Sequence, residues 1–420
     1  MKRVLLFAYF FPPYGSGGVY RSLKFTKYLP TFGWEPIVIA PRPKQYYWAF
    51  DYSLLKEIPE HIQVLRTRSL EPFHLFALLD RLGLGKLKNI MNDYIFIPDN
   101  KIGWIPFALL TAIKLLKSDD IKVIYTSSPP HSIHLLGCLL KNLTGKPWVA
   151  DFRDQWTYNP LYVPSCKAAD IINGLLERSV YRVCDKIIHV TETDRFRASE
   201  KFGVSVNKII TISNGYDEED FYGKSCCEHK DGFIIAYFGH LYGGREKTLD
   251  NFLKGLELAQ VKNRHFAQET RVLFCGASDI SNEWLKQSAV KNIINVSRFV
   301  SHSDAINRML MSDLLLLIYA PNDKNVISSK LYEYLASEKP ILALVPDGET
   351  KTILKKSSLG FFCDPSDPEN ICDTLIELFE RRVRGELQAE PNSGFIKQFA
   401  RRDLTQKLSS VLDELSKDSL

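Results

Sequence analysis

The sequence predicts an α/β protein with two doubly wound parallel sheets, each the centre of its own domain. Three observations predict this. The chain has 420 residues, whereas domains usually hold about 100–200. Short, continuously apolar, β-branched runs alternate with amphipathic segments almost throughout, the mark of buried parallel strands crossed over by helices. The alternation also restarts after Gly223, where the polar stretch Lys224–Gly232 leads into a fresh apolar run at Phe233.

Taken in order, the strand candidates of the first half are Val4–Tyr9, Pro36–Ala40, Lys122–Ser127, Trp148–Phe152, Lys186–Thr191 and Ile209–Ser213. Those of the second half are Phe233–Phe238, Arg271–Cys275, Ile293–Ser297, Leu314–Tyr319 and Ile341–Leu344. Amphipathic segments separate them, as at Leu249–Ala259 and Lys330–Ala336, and Gly394–Leu420 is again helical in pattern. The expected domains are residues 1–213 and 214–394, with a terminal helix at about 395–420 returning to the first. Ligands in such sheets bind beyond the carboxyl ends of the strands. Two sheets facing one another would enclose a cleft.

Composition narrows the function. Hydrophobic residues make up 45% and charged residues 25%, as in soluble globular proteins. The 54 basic and 49 acidic side chains leave a net charge of +5, too small an excess to imply a nucleic-acid partner. The eight cysteines, Cys226-Cys227 among them, show no C-x-x-C pair and no zinc spacing. Reduced thiols and a cytoplasmic location are expected. The opening MKRVLLFAYFFPPYG begins like a signal peptide, but its apolar run stops at Pro12-Pro13 and no small-x-small cleavage site follows. No stretch reaches the roughly 18 apolar residues of a membrane span.

Four segments carry candidate chemistry. Beyond the first strand, Gly15, Gly17 and Gly18 precede a helix expected near Val19. Glycines let backbone amides approach a ligand, and a helix N-terminus favours anions. The dinucleotide fingerprint fails, because Tyr20 stands where its third glycine belongs. Next, strand Trp148–Phe152 runs into Asp151-Phe152-Arg153-Asp154. Alternation places Asp151 and Arg153 on one side, so that Arg153 could hold Asp151 ionised; an ion pair that only fixes the loop is the plainer alternative. Upstream, Thr126-Ser127-Ser128 and His131 either face the ligand side or cap a helix.

In the second half, Phe233–Phe238 runs into Gly239-His240-Leu241-Tyr242-Gly243-Gly244-Arg245, with Lys247 following. A glycine turn with cations before a helix suits a diphosphate; Lys247 reads more simply as a solvated helix residue. Last, Asn325-Val-Ile-Ser328-Ser329-Lys330-Leu-Tyr-Glu333 reads as a loop entering a helix. Ser328 and Ser329 would offer amides and hydroxyls to an anion, Lys330 a charge, and Glu333 a carboxylate one turn on. The plainer alternative makes Ser329 an N-cap and Glu333 a surface residue.

These motifs, in this order, resemble the family 4 glycosyltransferases of the GT-B fold across essentially the whole chain. Pro12-Pro13, Gly17-Gly18 and Arg21 resemble the family's P-P-x-x-G-G-x-x-R opening, with one more residue between the prolines and the glycines. The D-x-R-D-x-W segment is similar to a family variant, with Arg153 where many relatives carry histidine. Arg245, six residues after Gly239, stands at the family's lysine position, and His240 at its arginine position. Glu333 matches the second glutamate of E-x7-E, whose role is to bind ribose; Asn325 replaces the first. Ser213-Asn214-Gly215-Tyr216-Asp217 resembles the turn at the domain junction, and Arg298-Phe299-Val300-Ser301 the segment facing the base.

The resemblance implies an acceptor-side first domain and a donor-binding second one. It implies retaining transfer of a sugar, an N-acetylhexosamine on UDP for example, to a glycan or lipid-linked acceptor in surface polysaccharide synthesis. Donor-binding candidates are Gly17, Gly18, Gly239, His240, Arg245, Phe299, Ser328, Ser329, Lys330 and Glu333. Catalytic candidates are Asp151, Arg153, Asp154, Arg245 and Lys330. With no D-x-D motif in the chain, neither a metal nor a cofactor is expected. An epimerase of the same fold and an inactive sugar-nucleotide-binding protein are the alternatives. Finally, Phe73–Met91 is rich in Phe and Leu, with Arg81, Lys86 and Lys88. Such a segment either lies in an anionic membrane interface or packs on the first domain.

Overall fold

The computed structural model describes residues 1–44, 50–160, 162–224, 232–241, 244–276, 289–297, 300–321, 323–324 and 327–417. Two compact units divide at Asn214/Gly215 and Ala400/Arg401.

The first unit holds β1 (Lys2–Ala8), β2 (Trp34–Pro41), β3 (Val64–Thr67), β4 (Ile121–Ser128), β5 (Trp148–Phe152), β6 (Lys186–His189) and β7 (Ile209–Thr211). They form one sheet in the order β3-β2-β1-β4-β5-β6-β7, every pair parallel. The order reverses between β1 and β4, so the crevice beyond their carboxyl ends is the switch point where ligands bind in such sheets. The glycine loop follows β1 and the Ser128–Pro130 turn follows β4. The helix Arg401–Lys417 closes one face: Leu404, Leu408, Leu412 and Leu415 pack with Val4, Leu6 and Trp34. Its Asp413 accepts from the Trp34 indole at 3.1 Å and from Lys2 at 3.0 Å.

The second unit holds β8 (Phe233–Phe238), β9 (Thr270–Cys275), β10 (Ile294–Ser297), β11 (Leu314–Ile318), β12 (Ile341–Leu344) and β13 (Gly360–Phe362), ordered β10-β9-β8-β11-β12-β13 and parallel throughout. Its switch point lies between β8 and β11, beyond which stand Gly239 and the segment leading to Ser328. β11, LLLLI, is buried along its whole length, as a central parallel strand should be.

The sequence reading lacked β3 and β13. Both are edge strands of four and three residues, only partly buried. A strand covered on one side needs no apolar run, so periodicity does not reveal it. Among the described residues no helix is long and apolar enough to cross a membrane.

Candidate active site

In the first unit Gly17 and Gly18 open the helix Gly17–Tyr28. Arg21, one turn in, turns inward and is fully buried. Its Nε and one terminal nitrogen each donate to Asp151 at 2.8 Å, a two-pronged pair. The remaining donors reach the Ser213 carbonyl at 2.8 Å and the Ile212 carbonyl at 2.9 Å. Asp151 also accepts from Tyr125 Oη at 2.6 Å and Ser127 Oγ at 2.8 Å. Burial alone would raise the Asp151 pKa; the Arg21 charge and these hydrogen bonds outweigh it and hold the carboxyl below its usual range.

This geometry corrects two expectations. The guanidinium that keeps Asp151 ionised is Arg21, not Arg153. And Asp151 is fully enclosed with its oxygens occupied, the placing of a residue that positions others. It ties the glycine-loop helix to the ends of β4, β5 and β7. Arg153 instead donates to the Gly18 carbonyl and, at 3.4 Å, to the Pro129 carbonyl, stitching together the two loops at the switch point. A Cβ on Gly18 would lie 2.9 Å from the Arg153 guanidinium, so a larger residue there would push that flexible side chain aside. Asp154 is the carboxylate with access: its side chain is 53% exposed, 3.9 Å from Arg153 Nε.

The Thr126 and Ser127 hydroxyls are spent internally, whereas Ser128 Oγ is buried without a hydrogen-bond partner. Thr126 Oγ1 accepts from the Trp148 indole at 2.8 Å and pairs with His134 Nδ1 at 2.9 Å. His131 stacks flat on Trp156, with ring centroids 4.9 Å apart. The helix Ser132–Thr144 is capped from outside, by Asp99 accepting from Ser132 N and Oγ at 2.9 and 2.8 Å.

In the second unit Gly239 adopts φ +97°, a region that favours glycine. Lys330 crosses directly over it: a Cβ there would lie 2.7 Å from Lys330 Cε. Lys330 Nζ donates to Tyr237 Oη at 2.9 Å and sits 4.4 Å from that ring's centroid. Tyr237 Oη in turn donates to the His240 carbonyl at 2.9 Å. Burial, then the nearby Arg245 charge, pull the Lys330 pKa down to about 7, against the opposing influence of Glu333. A cation this poorly compensated, at the start of the helix Ser329–Ala336, is a place for an anion.

Arg245 is buried, with its guanidinium 3.4 Å from Asp323 and 5.2 Å from the centroid of Tyr319. Part of its charge is therefore already balanced, which leaves Lys330 as the cation with more to gain from a ligand. Ser328 is the N-cap residue, not Ser329. The Ser328 amide donates to Tyr319 Oη at 2.7 Å and so is not offered to an anion. Glu333 faces His302, Oε1 to Nε2 at 3.0 Å, and Asp220 lies 3.8 Å from the other ring nitrogen. Phe299 and Asn325, like Arg298, Tyr242, Gly243, Cys226 and Cys227, lie outside the described residues.

Sequence reasoning missed Tyr237, His302, Tyr319 and Asp323. The first three sit in segments whose local pattern is plain strand or helix. Asp323 lies in a loop with no motif of its own.

With this geometry in hand, the relatives can be placed. Residues 16–220 match the model of Glycosyltransferase Family 4, and residues 232–381 that of Glycosyl transferases group 1. The probable glycosyltransferase WbjE of Pseudomonas aeruginosa is 22% identical over 290 residues, covering 65% of this chain and 70% of its own. A glycosyltransferase from Rickettsia africae superposes with a TM-score of 0.65 at 17% identity, covering 99% of both chains. HepE of Anabaena, solved with UDP-glucose, superposes with a TM-score of 0.67 at 13% identity, covering 99% of this chain and 100% of its own. Two parallel sheets with loops gathered at their switch points, matched in sequence along both halves, place this chain among the family 4 glycosyltransferases, as an enzyme of the GT-B fold.

Proposed function

We propose that the enzyme transfers a sugar from a nucleoside diphosphate donor, UDP-linked and N-acetylhexosamine-like, to a glycan or lipid-linked acceptor in surface polysaccharide synthesis. The observation that carries the donor reading is Lys330, a lysine with a pKa of about 7 laid across Gly239 at the first turn of a helix. A diphosphate there gains a cation and helix-terminal amides. Glu333, one turn further, accepts from the ribose hydroxyls once His302 yields its place. HepE, of the same fold, was solved with UDP-glucose.

In the reaction the bond from the anomeric carbon to the diphosphate oxygen breaks and negative charge gathers on the diphosphate. Lys330 and Arg245 stabilise it most in the transition state. These protein cations support transfer without a metal or any other cofactor. The acceptor hydroxyl attacks on the face the diphosphate leaves, with retention, and Asp154 is the accessible carboxylate to receive or relay its proton. Release of nucleoside diphosphate from a panel of sugar donors, with and without acceptor glycans, tests the assignment. Turnover that survives EDTA is expected; turnover lost in EDTA and restored by Mg²⁺ would sink the metal-free route. A converted donor sugar without acceptor would point to epimerisation instead.

Glu333→Gln is expected to weaken donor binding about 10–100-fold, the value of a charge-assisted hydrogen bond of about 1.5–3 kcal/mol. Calorimetry with UDP decides it: unchanged affinity removes Glu333 from the ribose.

We further propose reversible binding to the cytoplasmic membrane face through the hairpin of helices Phe73–Arg81 and Gly85–Tyr94. Leu79 is its one buried residue among those two helices, while Leu78, Leu82, Leu87 and Ile90 are 52%, 61%, 45% and 54% exposed. Such apolar exposure marks an interaction surface. Lys88 is paired with Asp80 at 2.7 Å, so Arg81 and Lys86 supply the attraction, about 1 kcal/mol each near an anionic surface. Co-sedimentation should require anionic vesicles, fall with salt, and fall again in an Arg81/Lys86/Lys88→Glu variant. A wild type that ignores anionic vesicles at low salt ends this claim.

A further inference from the structure

A cavity opens in the second unit, lined by Lys247 and Thr248 at the start of the helix that follows Arg245. It has a volume of about 590 Å³, within the usual range of small-molecule sites, about 300–1,000 Å³. It lies beyond the carboxyl ends of β11, β12 and β13, where its walls include Pro321, Pro346 and Pro365. Prolines fix the backbone, so the shape is set before any ligand arrives. Its lining includes none of Gly239, Arg245, Lys330 and Glu333. Thr248, which lines it, donates to the Tyr319 carbonyl at 2.9 Å, and the Tyr319 ring lies beneath Arg245.

The charges of this cavity select its ligand. The charged residues in its lining are Lys247, Asp347, Lys351 and Asp364, two of each sign. Lys351 is held by Asp347 at 2.7 Å. A wall with no net charge offers a polyanion nothing that the Lys330 site does not offer better. Its polar atoms, however, remain of both kinds. Asn370 uses its carbonyl oxygen on the Asp364 amide, which leaves its NH₂ to donate. Asn251 spends its NH₂ on the Pro365 carbonyl, which leaves its oxygen to accept. One Asp364 oxygen takes both Ser366 donors, which leaves the other to accept. Fixed donors interleaved with fixed acceptors match hydroxyl groups, each of which does both. The Phe362 ring and the prolines supply apolar surface for the C–H face of a sugar ring.

We propose that this cavity is a saccharide subsite that takes a neutral stretch of glycan, separate from the site for the nucleoside diphosphate. The proposal rests on the donor reading above only for that separation. By holding a neighbouring part of the acceptor or product chain, it would make the enzyme prefer oligosaccharides over single sugars.

The test is titration of the full chain with neutral trisaccharides, maltotriose and triacetylchitotriose, followed by NMR or calorimetry, with UDP and UDP-N-acetylglucosamine titrated in parallel. One of the trisaccharides should bind saturably at millimolar concentration and stay bound when either nucleotide is saturating. Ser366→Trp, which fills the cavity, and Lys247→Ala, which removes a donor, should each weaken trisaccharide binding at least about tenfold. Ser366→Trp should leave UDP affinity and the melting temperature unchanged. No binding of either trisaccharide, binding indifferent to both variants, or displacement by UDP-N-acetylglucosamine would each overturn the proposal. The last result would make the cavity the pocket of the transferred sugar. UDP binding without trisaccharide binding discards the subsite and keeps the donor reading; the reverse discards the donor reading.

Discussion

Lys330→Met is expected to lower kcat by about 100- to 1,000-fold, the usual effect of removing one preorganised stabiliser of developing charge, while donor affinity falls far less. Methionine keeps most of the chain volume over Gly239 and removes only the ammonium, so the fold should survive. The pH profile carries a second signature. In the free enzyme Lys330 titrates at about 7, and only its ammonium form meets a diphosphate as a cation. The sign follows: kcat/KM should be full below pH 7 and decline as pH rises through 7. A bound diphosphate favours the charged form, so donor binding near and above neutral pH should take up a proton. Calorimetry in buffers of different ionisation enthalpy measures that uptake. Lys330→Met should abolish both the decline and the uptake. A variant with wild-type kcat, or an uptake that persists in it, would remove Lys330 from the chemistry.

Asp151→Ala should destabilise the first unit by about 3–5 kcal/mol, because it leaves a buried guanidinium without its counter-charge. Arg21 and Asp151 are both fully buried, at 2.8 Å in two places. Replacing both at once, as Arg21→Met with Asp151→Leu, should recover part of the loss, since a buried pair exchanged for apolar side chains is often close to neutral. Chemical denaturation followed by the fluorescence of Trp148 and Trp156 measures both. A catalytic Asp151 would behave differently: Asp151→Ala would keep the wild-type midpoint and lose turnover. That result would return this carboxylate to the reaction.

The candidate site was legible wherever a motif is local. Gly239, Arg245, Ser328, Lys330 and Glu333 stand at fixed short spacings beyond strands whose apolar runs are unmistakable. What was not legible is the partner of each group. Asp151 was paired with Arg153 two residues away because alternation puts them on one side. Its true partner, Arg21, is 130 residues distant, brought there because β1 and β5 flank β4 in the sheet. Arg21 was visible as a motif residue, but nothing in its spacing says which carboxylate it meets. Tyr237 is 93 residues from the lysine it supports, and His302 is 31 from Glu333.

By itself, then, the sequence determined the two parallel sheets, the order of their strands along the chain apart from the edge strands β3 and β13, and the loops that hold the candidate residues. Burial and backbone preference act on residues a few positions apart, and they leave a period that can be read. The tertiary structure alone decided which cations are already balanced and which are left to a ligand. Arg245 is tied to Asp323, whereas Lys330 lies over a glycine and a phenol with its charge half suppressed. That division depends on distances of a few ångströms between loops gathered from different strands, because Coulomb energy and desolvation respond to separation in space and not to position in the chain.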